Sequence, residues 1–320
     1  MKRWLVTGGV GFIGYHLSRA LCARGDTVTI LDDFSNAPYP ATMKRRNASD
    51  LASEFPAVTI VEACITDRAA TRALYESKDG VIHLAGLAGV RPSFDDPARY
   101  SRVNVEGTAT VLELTVAAGV RQFLFASSSS VYGNSTLLPA HEDAPAISPE
   151  SPYAATKRAA ELVASAICRR VADLSCTALR FFTVYGARQR PEMAITLFTR
   201  AVLAHNPITM FGDGSMRRDF THVDDIVRGV VSATDHPRPG LRPYNLGSGA
   251  PVTLEGLVRA IGKTAQIAPV VVTAPVPCGD VDATFADIAR ARDELGWAPR
   301  IALEDGLQTV LTWVKANPTA

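Results

Sequence analysis

Tyr153-Ala154-Ala155-Thr156-Lys157 sets a phenol and an ammonium four residues apart. On a helix, positions i and i+4 share one face. A cation beside a phenol stabilises the phenolate and draws its pKa down from about 10 toward the range in which a general base works. Such a pair is common on helix surfaces and carries little weight by itself. It gains weight from Ser127-Ser128-Ser129-Ser130, a serine run some 25 residues upstream that closes an apolar segment. A hydroxyl there could bridge the same substrate oxygen.

A second chemical feature opens the chain. Thr7-Gly8-Gly9-Val10-Gly11-Phe12-Ile13-Gly14 follows the apolar run Trp4-Leu5-Val6. Gly8 permits a tight turn, Gly11 lets backbone approach a pyrophosphate, and Gly14 lets the following helix pack closely on the strand. The helix N-terminus supplies the positive end of a dipole. Asp32 ends the next apolar run, at the spacing expected of a carboxylate that accepts both ribose hydroxyls of an adenosine. The same carboxylate repels a 2′-phosphate, which favours NAD over NADP. Asp33 beside it reads as solvated or capping.

These residues need elements to hold them. Trp4-Leu5-Val6, Thr27 to Leu31, Val58 to Val61, Gly80 to Leu84, Gln122 to Ala126 and Cys176 to Phe181 read as strands. Phe12 to Arg24, Asp96 to Ala118 and Pro152 to Val171 read as helices. Strand–helix alternation implies right-handed crossovers and a parallel sheet, and near-continuous apolar strands imply helices on both faces. The fold class is therefore α/β, a doubly wound parallel sheet. Leu84-Ala85-Gly86-Leu87-Ala88-Gly89 and the serine run fall at strand C-termini, where such sheets bind ligands. After about residue 182, Pro and Gly punctuate shorter elements, which reads as a smaller C-terminal substrate lobe. The division is 1–182 for the cofactor domain, with a return segment near 223–249, and 183–320 for the lobe. Met43-Lys44-Arg45-Arg46 reads as a solvated basic face.

Composition limits the function classes. The 320 residues carry 33 Lys+Arg and 32 Asp+Glu, a net charge of +1. That leaves no basic excess for nucleic acid. The five cysteines lack CxxC spacing, so neither a metal site nor a disulfide framework is expected, and a reducing, cytoplasmic setting fits best. No apolar run approaches the ~18 residues that span a bilayer, and the first apolar run breaks at Thr7-Gly8-Gly9, too early for a signal peptide.

With these motifs in hand, the chain resembles the extended short-chain dehydrogenase/reductase superfamily, whose nucleotide-binding domain is a Rossmann fold, and within it the nucleotide-sugar epimerases. The carrying segments are Thr7–Gly14, Leu31–Asp33, His83–Gly86, Asn104–Thr108, Ser127–Gly133, Tyr153–Lys157, Arg217–Asp225 and Tyr244–Gly249. Gly89-Val90-Arg91-Pro92-Ser93 and Arg180 to Met193 look most like UDP-glucuronate 4-epimerases. The resemblance implies that Tyr153 takes the proton of the sugar 4-hydroxyl, that Ser128 is the catalytic hydroxyl, and that Lys157 binds the nicotinamide ribose and lowers the tyrosine pKa. It places Gly8, Gly11, Phe12, Ile13, Gly14, Asp32, Ile65, Leu84, Ala85, Gly86, Asn104 and Lys157 along a tightly held NAD. It places Arg218 at the pyrophosphate of a UDP-sugar and Phe211 near the uracil. A homodimer through the helices near Asp96–Ala118 and Pro152–Val171 is the family's habit.

A 4-keto glucuronate is a β-keto acid and loses CO2 when its carboxylate stands perpendicular to the ketone. An epimerase must hold the carboxylate away from that geometry with hydroxyls and a guanidinium. Ser129, Ser130, Thr183 and Arg190 are the candidates, with Arg91 a weaker one. A dehydratase more often has Asp-Glu directly after the catalytic hydroxyl, where this chain has Ser129-Ser130. Two departures from the family pattern stand out. Cys64 replaces an Asp that meets adenine in many relatives, and Pro277, which donates no hydrogen bond, replaces an Arg or Gln at the nucleotide. Nucleotide binding is then expected to lean on Arg218, or the nucleotide is not the usual one. The alternatives are a 4-epimerase of a neutral UDP-glucose/UDP-galactose type and, in a different class, a non-catalytic NAD-binding regulator on the same fold.

Overall fold

The computed structural model describes residues 1–37, 39–134, 137–276 and 281–318. Seven strands form one parallel sheet: β1 (Arg3–Thr7), β2 (Thr27–Asp32), β3 (Thr59–Glu62), β4 (Gly80–His83), β5 (Gln122–Ser128), β6 (Ser175–Phe181) and, after four short strands, β11 (Gly240–Leu246). Their order is β11-β6-β5-β4-β1-β2-β3, every pair parallel. The order reverses between β1 and β4, which makes the carboxyl ends of those strands the binding crevice of such a sheet.

Alternation along each strand splits the core in two. Trp4 and Val6 of β1 point to one face, where α1 (Phe12–Ala23) and α9 (Val223–Asp235) contribute Leu17, Leu21, Ile226 and Val230. Leu5 points to the other, where α6 (Gly107–Ala117) and α7 (Pro152–Arg170) contribute Val111, Leu112, Ala160 and Ala164. Each large side chain fully buried here stabilises the fold by about 1.5–3 kcal/mol. α2 (Ala41–Glu54) and the single turn α3 (Arg68–Thr71) lie in the β2–β4 region.

The remaining elements are β7 (Thr183–Tyr185), α8 (Ala194–Leu203), β8 (Ile208–Phe211), β9 (Arg217–Arg218), β10 (Phe220–His222), β12 (Val252–Thr253), α10 (Leu254–Ala265), β13 (Val271–Ala274), α11 (Ala289–Leu295) and α12 (Leu303–Ala316). They pair as β7–β10, β9–β12 and β8–β13. A third core, with Phe198, Leu257, Ile261, Leu307 and Val310, joins α8, α10 and α12. Among the described residues no helix is long and apolar enough to cross a membrane.

The expected continuous helix over 96–118 is corrected. A short α4 (Val90–Asp95) precedes it, Asp96 caps α5 (Pro97–Ser101) by accepting from Arg99 N at 3.1 Å, and Arg102–Glu106 widens into a π turn before α6. The widened turn carries Asn104, whose side chain is committed to a loop outside the helix. Single π turns of this kind recur at functional sites.

Candidate active site

The glycine turn and the loop after β4 meet at the crevice. Gly8 has φ +70°, and a Cβ there would stand 2.6 Å from Ala85 N. Gly8 N donates to Leu31 O at 2.7 Å and Leu84 N donates to Thr7 O at 2.9 Å, so both loops extend the sheet's own ladder. At Gly14 a Cβ would fall 2.0 Å from Gly8 O, so close helix packing requires glycine. α1 begins immediately after Gly11, with Phe12 and Ile13 in its first turn.

Asp32 is buried at the end of β2. Its Oδ1 accepts from Phe34 N at 3.0 Å and faces Lys44 Nζ at 3.5 Å. Burial raises its pKa, and the Lys44 charge opposes that rise. Asp33 is half-exposed, accepts from Ser35 N at 2.9 Å and lies 3.7 Å from Lys44. Lys44 is thus not part of a solvated face. With Asn47 and Leu51 it forms the buried stripe of α2, a helix otherwise polar. Tyr39, also buried, brings its hydroxyl to the glycine turn, where it takes a hydrogen bond from Phe12 N; burial pushes its pKa up to about 12.

α7 starts sharply because Ser151 Oγ accepts from Ala154 N at 3.2 Å and Pro152 fits the first helical position. That start puts Tyr153 in the first turn and Lys157 one turn on. Lys157 Nζ donates to Ala126 O at 2.9 Å, and burial brings its pKa down to about 8. Gly86 lies beside it: a Cβ on Gly86 would stand 3.3 Å from Lys157 Nζ and 3.0 Å from Asn104 Oδ1. Asn104 Oδ1 accepts from Leu87 N at 2.8 Å, and its amide donates to Leu87 O at 2.9 Å and to Thr156 Oγ1 at 3.1 Å. It ties the loop after β4 to the helix that carries Tyr153.

Burial raises the Tyr153 pKa above that of a free phenol; a hydrogen bond with Ser128 and the charge of Arg190 pull it down. Lys157 follows Tyr153 by one turn on the same helix. Ser128 Oγ donates to Ser130 Oγ at 3.1 Å and accepts from Ser130 N at 3.1 Å, at the start of a tight turn over Ser129–Tyr132. Arg190 Nη1 donates to Ala88 O at 3.3 Å, the carbonyl that also receives Tyr100 Oη at 3.1 Å. The Tyr100 ring stands edge-on to Tyr153, 6.4 Å between centres. Ser128, Tyr153, Lys157, Arg190, Gly86 and Asn104 thus converge from five separate chain segments.

Other expected site residues have contacts of their own. The Arg91 guanidinium stacks 4.5 Å from the centre of the Phe211 ring, joining α4 to the end of β8. Thr183 begins β7 and its N donates to Asp219 O at 3.0 Å. Arg218 Nη1 donates to Arg217 O at 2.9 Å. Ile65 is buried against Gly107 in the second core. Cys64 Sγ pairs with Thr66 Oγ1 at 3.1 Å. Pro277 falls outside the described residues.

A buried polar network underlies the serine strand end and was missed by motif reading. Glu161, two turns beyond Tyr153 on α7, accepts from Arg180 Nε at 2.9 Å and Nη2 at 2.8 Å, and from Ser127 Oγ at 2.6 Å. Arg180 Nη1 also donates to Tyr132 Oη at 2.9 Å. The only sequence signals were charges inside an apolar strand and on the inward face of α7.

The NAD dependent epimerase/dehydratase family model matches residues 4–247. This chain belongs to that family. A UDP-glucuronate 4-epimerase of Thermodesulfobacterium geofontis is 37% identical over 327 residues, covering 99% of this chain and 97% of that one. Among solved structures, a UDP-glucuronic acid 4-epimerase from Bacillus cereus, in complex with UDP-glucuronic acid and NAD, superposes with a TM-score of 0.92. It shares 32% identity, and the match covers 98% of this chain and 99% of that one. A UDP-glucose 4-epimerase from Thermotoga maritima, with UDP-glucose, gives 0.89 at 28% identity, with 99% of each chain covered. The family's NAD fits the residues present. Gly8 and Gly14 have no room for a side chain, a Cβ at Gly11 or Gly86 would crowd Gly8 O or Asn104 and Lys157, and Asp32 presents a buried carboxylate at the end of β2.

Proposed function

We propose that this chain interconverts UDP-glucuronate and UDP-galacturonate at C4 with resident NAD. The observation that carries the reading is the gathering of Ser128, Lys157 and Arg190 around the half-buried Tyr153, beside a dinucleotide crevice.

Gly8, Gly11, Gly14, Asp32 and Lys157 would hold the NAD, with Phe12, Ile13, Leu84, Ala85 and Gly86 along it; it supplies a hydride acceptor that returns the hydride within each cycle. The chain's own residues manage the proton and the geometry. Tyr153 takes the 4-hydroxyl proton and later gives it back, and Ser128 holds the same oxygen. Arg190 and Ser128 favour the phenolate that burial alone opposes. Arg190, with Ser129, Ser130 and Thr183, is suited to hold the sugar carboxylate away from the geometry that releases CO2. The absence of an acid after Ser128 supports epimerisation over dehydration. Residues 1–182 with 223–249 are assigned to the cofactor, and the rest of 183–320, with Arg218 and Phe211, to the nucleotide. The reading extends to a homodimer through the outer faces of α5–α6 and α7, where Leu162 is 54% exposed, and to a cytoplasmic location, which the free thiols of the four described cysteines suit.

Arg190→Ala tests the substrate assignment. Turnover of UDP-glucuronate falls about 100-fold, or CO2 is released, while any activity on UDP-glucose changes less. Equal losses on both sugars would remove the carboxylate from the account.

A further inference from the structure

Arg188 lies two residues before Arg190, yet their side chains serve different places. In extended backbone such residues would share a side. Arg188 instead has φ +65°, the left-handed region, which costs a non-glycine residue of order 1 kcal/mol and persists only where surrounding contacts impose it.

The Arg188 guanidinium sits 4.0 Å from the centre of the Tyr15 ring on α1 and 4.8 Å from that of Trp313 on α12. Its Nη1 donates to Asn47 Oδ1 and its Nη2 to Asp50 Oδ2, both at 2.6 Å, on α2. The side chain is 13% exposed. Its neighbours are pinned too. His16 holds Ala187 O at 2.9 Å, and Gln189 Nε2 donates to Val184 O at 2.8 Å while its Oε1 accepts from Thr196 at 3.1 Å. Asn47 then turns its amide to Val10 O, at 2.9 Å, inside the glycine turn. One guanidinium therefore connects the cofactor turn, the C-terminal helix and the loop that delivers Arg190.

We propose that Arg188 is a positioning residue: clamped by Tyr15, Trp313, Asn47 and Asp50, it fixes the 186–190 loop so that Arg190 reaches Ala88 O, the carbonyl shared with Tyr100 beside Tyr153, and it locks that loop to the glycine turn through Asn47. Arg188 touches neither the phenol nor the crevice. It acts through Arg190, and α12, remote in sequence, becomes part of the active site's support. The inference rests on Tyr153 as the proton acceptor.

The test uses the NAD-loaded chain and three variants: Arg188→Met, Arg188→Lys and Trp313→Leu. The first readout needs no substrate. The tyrosinate ultraviolet absorption of each chain, minus that of the same chain carrying Tyr153→Phe, gives the Tyr153 midpoint. The groups facing that phenol are Ser128, Arg190, Tyr100 and, one turn away, Lys157. In Arg188→Met the midpoint rises by roughly half a pH unit or more as Arg190 withdraws, and Arg188→Lys recovers part of the shift. The second readout is turnover of UDP-glucuronate below the unfolding temperature: kcat falls about tenfold with a smaller change in KM. Trp313→Leu keeps both hydrogen bonds and gives an intermediate effect, which covers the case of an unfolded Arg188→Met. Lower thermal stability with an unmoved midpoint and unchanged kcat overturns the proposal. A wild-type chain that inverts no UDP-sugar, while the midpoint still shifts, overturns the epimerase reading and leaves the positioning role standing.

Discussion

Glu161→Gln removes one charge from the buried pair beneath the serine strand end and changes almost no volume. In the native chain Glu161 is 1% exposed and Arg180 3% exposed, joined by two hydrogen bonds. The Arg180 pKa is raised despite its burial because Glu161 bonds it and neutralises it; a guanidinium is so strong a base that Arg180 keeps its charge even when that partner is lost. Removing one member of such a pair costs about 3–5 kcal/mol, mostly because a charge is left buried without a counter-charge. At roughly 2.1 cal/mol/K per residue, 320 residues unfold with an entropy of about 0.7 kcal/mol/K, so Tm should fall by roughly 4–7 °C. Calorimetry on wild type and variant measures the shift. The double variant Glu161→Leu/Arg180→Met should lose less than the single one, since removing both charges removes the penalty. A Glu161→Gln chain within about 0.5 kcal/mol of wild type, or a double variant showing the plain sum of two single losses, would refute the coupling.

Gly8→Ala forces a Cβ to 2.6 Å from Ala85 N at φ +70°, so it should destabilise by about 2–5 kcal/mol and purify with less NAD, read by absorbance of the denatured supernatant. Lys44→Met leaves Asp32 buried without its nearby cation and should weaken NAD retention roughly 5–30-fold in dialysis, with UDP binding unchanged. His83 is buried between Thr7 and Thr108, and burial holds its pKa near about 3. A depressed folded pKa means its contribution is full above the unfolded value and is lost as pH falls. Stability should therefore drop by roughly 2 kcal/mol from about pH 6.5 to about pH 4.5, and His83→Gln should flatten that part of the urea-denaturation profile.

The sequence revealed what is encoded locally. The glycine spacing, the carboxylate at the end of β2 and the Tyr-x-x-x-Lys turn each depend on a few consecutive residues, and the strands were legible because both faces of the sheet are covered. Long-range packing was hidden. Lys44 looked solvated because its neighbours Arg45 and Arg46 are; only the fold of α2 against β2 buries it. The π turn at Asn104 arises from bonds to Leu87 and Thr156, neither adjacent in sequence. Arg190 was found from the chemistry of a carboxylate, but the contacts of Arg188 that hold its loop depend on α1, α2 and α12 meeting there.

The central claim is inversion at one sugar carbon by a phenol that carries the proton while the hydrogen on carbon never leaves the protein. UDP-glucuronate bearing deuterium at C4, incubated in ordinary water with the NAD-loaded chain, tests it by NMR. The account expects UDP-galacturonate that keeps its deuterium at C4, and no conversion by Tyr153→Phe. Recovered UDP-glucuronate with no epimer, or an epimer whose C4 deuterium has washed out into solvent, would contradict it.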